Sequence, residues 1–343
     1  MNTGVAGLPL QDLDLICEDL ALHASSIQGK EILIYGGTGF IGSWLVAGLL
    51  HANDQIDLNA KITIVTRDVN KAKLHFNLRK EAKVKFEQFD LQTDIPKIQL
   101  SADIVFHAAT PTMKSTGSNN SAAVIASTQH AAQHALTVKS RNTTKPIVIH
   151  LSSGSVFGTQ PMEMENRGDL DQITSWSDSP YVHAKLLAED ILEKAYLDGL
   201  ILFQSPRLFA FAGPLIPLDA HFAIGNFLRD GLGGGPINLL GSPETRRSYL
   251  YPSDLVNILL RTIHLEKFQS FNIGNDQGIR MFDLAELILQ ITGSQGIELQ
   301  GNHIPPTNYV PGIDFVRNEL NYQNLMPLDV SIERWLLWLR ATS

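Results

Sequence analysis

Tyr181 and Lys185 are the residues whose types and spacing most directly suggest chemistry. They stand four positions apart in the run Ser179–Lys185, where Ser179 can cap a helix and Pro180 suits its first position. Residues four apart lie on one helix face, about one turn from each other. A phenol has a pKa of about 10 and is a poor base at neutral pH unless a nearby ammonium stabilises the phenolate. The pair therefore predicts proton transfer by Tyr181, assisted by Lys185.

A hydroxyl-rich segment upstream supports this prediction. A tyrosine and a lysine at this spacing also occur together by chance, usually as a surface pair. Here the segment Ser152–Gly158 follows a predicted strand and contains Ser153. The Ser153 hydroxyl can hydrogen bond a reacting oxygen and orient it toward Tyr181. Ser153, Tyr181 and Lys185 are therefore the candidate catalytic residues.

A glycine-rich turn lies between a short apolar run, Glu31–Tyr35, and a helix-compatible run, Ser43–Leu50. Glycines permit a tight turn and close backbone approach, and a following helix directs unpaired N–H groups at phosphates. The G-x-x-G-x-x-G spacing differs from the simplest dinucleotide fingerprint, and an ordinary strand-to-helix turn is the alternative. The predicted pyrophosphate-binding residues are Gly36, Gly39, Phe40, Ile41 and Gly42.

Polar residues after the next two predicted strands bear on the choice of cofactor. Arg67 and Asp68 follow the strand Lys61–Thr66. An acid there binds the ribose hydroxyls of NAD, whereas an arginine accommodates the 2′-phosphate of NADP. Because Arg67 comes first, the order slightly favours NADP, with a solvated charge pair as the alternative. Asp90, after the third strand, can accept a hydrogen bond from an adenine amino group or can simply end the strand in a turn.

The elements that must position these residues alternate along the chain. Repeated strand–helix units predict an α/β protein with a Rossmann-type, doubly wound parallel sheet. Beyond Arg207, prolines and glycines cluster, which predicts a smaller C-terminal substrate-binding lobe. The predicted strands are Glu31–Tyr35, Lys61–Thr66, Val84–Phe89, Asp103–Ala109, Pro146–Leu151 and Ile201–Gln204, and the clearest helices are Ser121–Lys139 and Pro180–Tyr196.

We expect three regions. Residues 1–29 form a helical extension, and residues 30–206 form the NAD(P)-binding Rossmann domain, which residues 248–274 rejoin. Residues 207–343 form mainly the substrate-binding lobe.

Composition disfavours several functional classes. A net charge of −8 leaves no basic excess for nucleic-acid binding. No apolar run reaches the roughly 20 residues that span a bilayer, and Met1–Leu10 lacks the pattern of a signal peptide. Cys17 is the only cysteine, and the histidines show no metal-ligand spacing. We therefore expect a cytoplasmic protein with no bound metal and no membrane or nucleic-acid partner.

The ordered set of motifs resembles the extended short-chain dehydrogenase/reductases, and more narrowly their nucleotide-sugar epimerase/dehydratase branch. The resemblance runs from about residue 30 to the C-terminus. It rests on Gly36–Gly42, Asp90, His107-Ala108-Ala109, Ser153–Gly158, Tyr181 with Lys185, Arg207–Pro214 and Arg246–Asp254.

The resemblance implies a role for each matched residue. Ser153, Tyr181 and Lys185 would act on a sugar hydroxyl, commonly the one on C4, while hydride passes to a nicotinamide. Lys185 would also hold the nicotinamide ribose. Arg247 would bind the diphosphate of a nucleotide sugar, which suits bidentate guanidinium–phosphate geometry. Asn226, on position alone, would reach the same substrate. Further cofactor contacts are expected from Leu91, Ala108 and Ala109.

The identities of Gly154 and Ser155 distinguish among the reaction types that the resemblance implies. In the 4,6-dehydratases of this branch, an Asp-Glu pair at these positions performs the elimination, and neither residue is a carboxylate here. An epimerase that works through a transient keto sugar is therefore favoured over a dehydratase. An NADPH-dependent nucleotide-ketosugar reductase is the alternative. A non-catalytic NAD(P)-binding regulator fits least, because the whole catalytic set is present.

The resemblance also implies a homodimer that pairs through the helices Ser121–Lys139 and Pro180–Tyr196. The alanine face Ala131, Ala132 and Ala135 would permit close helix approach between subunits or equally within one subunit.

Overall fold

The computed structural model of the chain describes residues 2–77, 84–111, 121–142, 145–158, 179–219, 222–300 and 304–342. Within these ranges the strands are β1 (Glu31–Tyr35), β2 (Lys61–Thr66), β3 (Val84–Gln88), β4 (Ile104–His107), β5 (Ile147–His150), β6 (Ser152–Ser153), β7 (Leu202–Leu208), β8 (Ile237–Leu239), β9 (Arg246–Arg247), β10 (Gln269–Ile273), β11 (Ile279–Arg280), β12 (Ile297–Leu299) and β13 (Asn308–Tyr309). The α-helices are α1 (Leu10–Ala21), α2 (Phe40–Gln55), α3 (Val69–Phe76), α4 (Ser121–Ala135), α5 (Pro180–Leu197), α6 (Ala223–Leu232), α7 (Pro252–Arg261), α8 (Met281–Thr292), α9 (Asp314–Asn318) and α10 (Leu328–Thr342).

The predicted doubly wound parallel sheet is confirmed. Its strands lie in the order β3-β2-β1-β4-β5-β7-β10, every paired neighbour is parallel, and β6 extends the pairing along β7. The strand order reverses between β1 and β4, and ligands bind parallel sheets at the carboxyl ends of strands where such a reversal occurs. The glycine turn follows β1 at that edge, and Ala108 follows β4.

Both faces of the sheet are buried because side chains alternate along each strand. On β1, Ile32 and Ile34 pack on one face with α1, α2 and α7, while Leu33 and Tyr35 pack on the other. That second face is covered by α4 and α5, whose fully buried residues include Ala131, Ala132, Ala135, Ala188 and Leu192.

The alanine face of α4 therefore packs within one chain. It lies against α5 and the sheet, so these alanines are not available for packing against a second subunit. The homodimer stays a prediction from the resemblance.

The N-terminal helix α1 is an integral part of the core. Its residues Leu13, Ile16 and Leu20 are buried, and α1 packs on α2 and α7. Gly48 of α2 permits this close approach, because a Cβ there would lie 2.8 Å from the Ile16 side chain. The buried Asp12 accepts hydrogen bonds from the Tyr251 hydroxyl, at 2.6 Å, and from Arg334 of α10.

The C-terminal part of the chain builds a second core beside the sheet. Its buried residues come mainly from α6, α8 and α10, around Phe227, Leu284 and Trp335. Two small sheets accompany it, one of β12 with β8 and one in the order β11-β9-β13. Segment 252–273 lies with the large sheet, since α7 packs in the first core and β10 pairs with β7. Among the described residues, no helix is long and apolar enough to cross a membrane.

Candidate active site

The glycine turn makes a cradle at the N-terminus of α2. Gly36 has a φ of +78°, and a Cβ there would lie 2.7 Å from the Ala108 carbonyl oxygen. A Cβ on Gly42 would collide with the Gly36 carbonyl oxygen and lie 2.6 Å from the Gly37 Cα. Gly39 occupies the N-cap position of α2, so no capping side chain there accepts a hydrogen bond from the first N–H groups of the helix. Only glycine fits at Gly36 and Gly42, and these residues therefore let the turn pack closely against Ala108 and the first turn of α2.

The first helical residues of α2 supply the donors of this cradle. Phe40, Ile41 and Gly42 open the helix, so their N–H groups have no intrahelical carbonyl partner. The helix dipole adds positive potential at the same point. The Phe40 ring packs against Phe211, with ring centroids 5.7 Å apart, which fixes the start of the helix. The turn and helix end together fit a pyrophosphate.

Arg67 and Asp68 follow the carboxyl end of β2, which pairs with β1, the strand that leads into the glycine turn. Asp68 is the N-cap of α3, and its Oδ1 accepts a hydrogen bond from the Lys71 N–H at 2.9 Å. The Arg67 side chain is exposed and, within the described ranges, forms no ion pair. One carboxylate oxygen of the acid is thus committed to the backbone, while the guanidinium is available to an anion.

The other predicted cofactor residues follow β3 and β4. Asp90 is exposed, and its carboxylate accepts a hydrogen bond from the Gln92 N–H at 3.0 Å, as in a strand-ending turn. The Leu91 side chain is buried in the core between the large sheet and helices α4 and α5. Ala108 donates its N–H to the Tyr35 carbonyl at 3.0 Å and borders the glycine cradle, and Ala109 packs at the edge of the same core. The cofactor roles of these residues stay predictions.

Ser153, Tyr181 and Lys185 are the candidate catalytic residues, and this set is called the catalytic group below. They lie at the carboxyl end of β6 and in the first two turns of α5. The Ser153 Oγ lies 2.8 Å from the Ser155 Oγ, and Ser153 is near enough to Tyr181 to lower the pKa of its phenol. The Lys185 Nζ lies 5.5 Å from the Tyr181 ring centroid and donates a 2.5 Å hydrogen bond to the Leu151 carbonyl. The i, i+4 spacing on α5 places both side chains toward the end of the sheet, as predicted.

The electrostatics of the catalytic group differ from the expectation that Lys185 lowers the pKa of Tyr181. Burial raises the pKa of the Tyr181 phenol, and the proximity of Ser153 offsets only part of that rise. Burial also lowers the pKa of Lys185 to about 7, so the lysine is only partly charged at neutral pH. The physical reason is desolvation, which penalises the phenolate and the ammonium alike. Without a further positive charge, Tyr181 therefore stays protonated at neutral pH.

Glu189 and Arg207 form an ion pair beside the catalytic group. Glu189 lies four residues after Lys185 on α5, and its Oε2 lies 3.3 Å from the Arg207 Nη2. Both side chains are nearly buried, and the Glu189 carboxylate raises the pKa of Lys185. The sequence contained a signal for this residue, because Tyr181, Lys185 and Glu189 continue one i, i+4 stripe.

Tyr309 and Phe209 are site residues that the sequence analysis missed. Tyr309 lies on β13 of the C-terminal part and packs against the cluster that contains Val156 and Phe157. Its ring lies 4.7 Å from that of Phe209, centroid to centroid. Phe209 in turn fills the space beside Gly154, where a Cβ would lie 2.5 Å from the phenyl ring. No local pattern marks Tyr309, since only tertiary pairing brings it to the site.

Arg247 lies next to Tyr309 in the small sheet. The two residues are register partners on β9 and β13, and the Arg247 Cζ lies 5.6 Å from the Tyr309 ring centroid. The guanidinium is half-buried, which lowers its pKa, and it donates to the Thr307 hydroxyl at 3.2 Å. Within the described ranges it has no carboxylate partner, which leaves it able to bind an anion.

Asn226 is not joined to the catalytic group by any contact within the described residues. It lies on α6, and its side-chain oxygen accepts a hydrogen bond from Arg229 at 3.1 Å. Its substrate role stays a prediction.

Two buried histidines lie behind the catalytic group. The rings of His107 and His150 meet edge to face with centroids 4.6 Å apart. Burial lowers the pKa of His107 to about 4 and that of His150 well below its ordinary value, so both are neutral at pH 7. Across the described part of the chain, no group of three or more histidine, cysteine or acidic side chains forms a metal-binding arrangement.

Comparison with known proteins identifies the family of this site. The profile of the NAD dependent epimerase/dehydratase family matches residues 32–274. The UDP-glucuronic acid decarboxylase 1 of Xenopus tropicalis is 24% identical over 319 residues, which cover 91% of this chain and 72% of that protein.

Two solved structures share the fold over nearly their whole length. The UDP-glucose 4-epimerase of Thermotoga maritima, solved with UDP-glucose, has a TM-score of 0.71 and 20% identity, covering 91% of this chain and 99% of that one. The UDP-glucuronic acid 4-epimerase of Bacillus cereus, solved with UDP-glucuronic acid and NAD, has a TM-score of 0.71 and 19% identity, covering 91% and 100%. The family profile extends from the strand before the glycine cradle to the strand that completes the large sheet, and the chain therefore belongs to the NAD-dependent epimerase/dehydratase family.

Proposed function

We propose that the protein is an NAD(P)-dependent nucleotide-sugar epimerase that works through a transient keto sugar. The observation that carries the proposal is the convergence of Tyr181, Ser153 and Lys185 at one end of the sheet that also carries the glycine cradle. Solved structures of the same fold that were determined with UDP-glucose or UDP-glucuronic acid support this class of substrate.

The protein's part in the reaction is to hold one sugar hydroxyl and move its proton. Ser153 is near enough to Tyr181 to lower the pKa of its phenol, so one sugar oxygen can bind both hydroxyls. In the oxidative half, the Tyr181 oxygen, as phenolate, takes the proton of the C4 hydroxyl while Ser153 holds that oxygen. In the reductive half, Tyr181 returns the proton to the ketone oxygen, and C4 emerges with either configuration.

The glycine cradle fits NAD(P), because Gly36 and Gly42 let the turn pack tightly onto the N-terminus of α2, whose unpaired N–H groups can bind a pyrophosphate. When bound, the oxidised nicotinamide supplies a hydride acceptor and a positive charge that favours the Tyr181 phenolate. Lys185 adds its own charge in the protonated form and holds the nicotinamide ribose. The neutral phenol of the ligand-free site thereby becomes a base only when the cofactor is present.

The surroundings of Gly154 argue against elimination as the second step. A dehydratase needs a carboxylate near the sugar, and the Phe209 ring takes the space in which a side chain at Gly154 would stand. Ser155 instead hydrogen bonds with Ser153. A keto sugar formed at this site therefore meets no acid–base pair from these positions, which favours simple return of hydride.

Arg247 is the proposed anchor of the nucleotide diphosphate. A half-buried guanidinium without a carboxylate partner in the described ranges is stabilised by an anion, and its planar donors match phosphate oxygens. Its contact with the Tyr309 ring, which packs on Phe209, supports a position of this anchor near Gly154.

Of the two cofactors NAD and NADP, NADP is the proposed one. The exposed Arg67 guanidinium is available to a 2′-phosphate, whereas the Asp68 carboxylate caps α3. Titration of NAD and NADP into the wild type and an Arg67→Ala variant measures this preference. The variant should lose about tenfold in NADP affinity and little in NAD affinity. Equal loss for both cofactors, or tighter NAD binding by the wild type, would contradict the preference.

The decisive experiment for function is incubation of the purified protein with NAD or NADP and each of UDP-glucose, UDP-glucuronic acid, and GDP-, CDP- and dTDP-sugars. Products are resolved by chromatography and NMR while absorbance at 340 nm is followed. An epimerase gives a C4 epimer with no net change in absorbance, whereas a ketosugar reductase, run in reverse with the oxidised cofactor, oxidises the sugar and raises the absorbance. Tyr181→Phe should abolish turnover, and persistence of turnover in that variant would refute the mechanism.

A UDP-glucuronic acid decarboxylase is the second candidate, favoured by the curated relatives that carry that name. Oxidation of UDP-glucuronic acid at C4 creates a β-keto acid, which loses CO₂ without needing an acid–base pair at Gly154 and Ser155. The same incubation separates the two, because the decarboxylase releases CO₂ and yields a pentose nucleotide. Failure of every nucleotide sugar to react or bind would count against both.

A further inference from the structure

The Tyr251 side chain joins the N-terminal helix α1 to the segment that carries Arg247. Its hydroxyl donates a 2.6 Å hydrogen bond to the Asp12 Oδ2, and the other oxygen of that carboxylate binds Arg334 of α10. Asp12 and Tyr251 are both fully buried, so water does not compete for this hydrogen bond. A hydrogen bond to a carboxylate is stronger than one between neutral groups, and Tyr251 is therefore firmly attached to α1.

Tyr251 also contacts the helix that opens at the glycine cradle. Its ring meets the Trp44 ring edge to face, with centroids 6.1 Å apart. Trp44 follows Gly42 by two residues on α2, and its indole N–H donates to the Pro214 carbonyl at 3.0 Å. Tyr251 therefore packs between the N-terminal helix and the helix whose first N–H groups form the cradle.

A short segment, Ser248–Tyr251, connects this junction to Arg247. Four residues of chain span at most about 14 Å. The segment is fixed at Leu250, whose N–H donates to the Ala210 carbonyl at 3.0 Å and whose carbonyl accepts from the Ala212 N–H at 3.1 Å. All of its residues are buried, namely Ser248, Tyr249, Leu250 and Tyr251. Because a packed segment has no free space in which to bend, a shift of Tyr251 moves Arg247 as well.

The helix α1 is a rigid support for Tyr251. Its Asp19 carboxylate pairs with Arg261 of α7 at 2.5 Å, and its Ile16 side chain packs directly on Gly48 of α2. These contacts hold α1 in place independently of the hydrogen bond from Tyr251. The small sheet fixes Arg247 within the C-terminal part of the chain, whereas α1 and segment Ser248–Tyr251 fix it relative to the cradle.

We propose that Tyr251 is a positioning residue through which α1 holds Arg247 at a fixed distance from the glycine cradle. This inference rests on the proposed function, in which Arg247 anchors the diphosphate of a nucleotide sugar. A preorganised guanidinium binds the diphosphate without first being ordered, which raises affinity. The N-terminal helix thereby contributes to substrate affinity, although it supplies no residue to the catalytic group.

Calorimetric titration of UDP, and separately of NAD and NADP, into the wild type and Tyr251→Phe tests the inference. The variant loses the hydrogen bond to Asp12 and keeps the ring contact with Trp44. It should bind UDP about fivefold more weakly and each cofactor within about twofold of the wild type. The matched control is Tyr322→Phe, which removes another buried phenol hydroxyl, one that donates to the Asp254 carboxylate at 2.7 Å. It should leave UDP affinity unchanged.

Asp12→Ala reaches the same contact from the side of α1. If α1 acts through Tyr251, this variant should weaken UDP binding as much as Tyr251→Phe does, and the double variant should bind UDP no more weakly than either single one. Urea unfolding gives the stability of each variant. An equal loss of UDP affinity in Tyr322→Phe would mean that general destabilisation is the cause, and would overturn the inference.

The outcomes separate the inference from the proposed function. Unchanged UDP affinity in Tyr251→Phe, equal weakening of UDP and the cofactors, or additive losses in the double variant overturns the positioning role and leaves the proposed function standing. A wild type that binds neither UDP nor UDP-glucose, or an Arg247→Ala variant that binds UDP as tightly as the wild type, overturns the proposed anchor and the inference together.

Discussion

Replacing Lys185 by methionine should stabilise the ligand-free protein while abolishing its activity. Lys185 is 4% exposed, and its Nζ donates to one backbone carbonyl, that of Leu151. Burial lowers its pKa from 10.5 to about 7, which means that the fold disfavours the charged form that the unfolded chain carries. Methionine has a similar length and no charge, so the variant removes this penalty and keeps the packing.

The size of the effect follows from the shift in pKa. Each unit corresponds to about 1.4 kcal/mol, so the penalty at pH 7 is about 4–5 kcal/mol. The variant leaves the Leu151 carbonyl without its donor, which costs about 1–3 kcal/mol, and imperfect repacking costs below about 1.5 kcal/mol. With the middle of each range, the expected net gain for Lys185→Met is about 2 kcal/mol in the free energy of unfolding at pH 7.

The pH dependence of the stability difference between Lys185→Met and the wild type tests independently whether that difference comes from the charge of Lys185. The pKa of Lys185 is lower in the folded than in the unfolded chain, so the penalty is fully present below about pH 7 and gone above about pH 10.5. The stability advantage of the variant should shrink as pH rises through this window. At its upper end the wild type should be the more stable, because it keeps the hydrogen bond to Leu151.

Urea unfolding at about pH 7 and about pH 9.5, followed by tryptophan fluorescence, measures both effects. Lys194→Met is the matched control, since Lys194 is on the same helix but exposed, in an ion pair with Asp190. It should change stability by less than about 0.5 kcal/mol, with no pH dependence from this window. A Lys185→Met variant less stable than the wild type at neutral pH, or a gap that does not vary with pH, would refute the reasoning.

Two other substitutions test the cradle and the N-terminal helix. Gly36→Ala should abolish NAD(P) binding and cost about 2–5 kcal/mol of stability, because the backbone there is left-handed and the new Cβ would clash with Ala108. Gly29→Ala is the control: Gly29 has a φ of +71° but open space around it, so this variant should show only the backbone cost and still bind the cofactor. Cofactor titration and urea unfolding measure both effects. Arg334→Met should cost about 3–5 kcal/mol, because it leaves the buried Asp12 carboxylate without its cation. If Arg334→Met lost less than about 1 kcal/mol in urea unfolding, Asp12 would be protonated in the fold. Glu333→Gln, on the exposed face of the same helix, is the control and should leave the free energy of unfolding unchanged.

Local patterns explain why much of the site was predictable. The strand before the glycine turn and the helix after it follow from residue periodicity and glycine spacing, and these do not depend on the rest of the chain. The spacing of Tyr181 and Lys185 likewise fixes their common helix face, whatever the helix packs against. Glu189 continues that spacing, and the same rule would have found it.

The spacing of Tyr181 and Lys185 did not predict how deeply their side chains are buried. The i, i+4 rule predicts contact between a phenol and an ammonium, and contact alone suggested a lowered pKa for Tyr181. In the structure both groups are desolvated, so the pKa of Tyr181 rises and that of Lys185 falls to about 7. How much water a site excludes depends on every element packed over it, and no segment of sequence carries that information.

The sequence by itself determined the glycine cradle, the alternating strands and the α5 stripe, since each depends on residues a few positions apart. Only the tertiary structure decided that Tyr309 packs on Phe209 and that Phe209 closes the space at Gly154. These contacts join the end of β6 to β13 and to the residue after β7, through sheet pairing that local propensity does not encode. The physical reason is that side-chain periodicity fixes a residue's face, while only packing of the whole chain fixes its neighbour across that face.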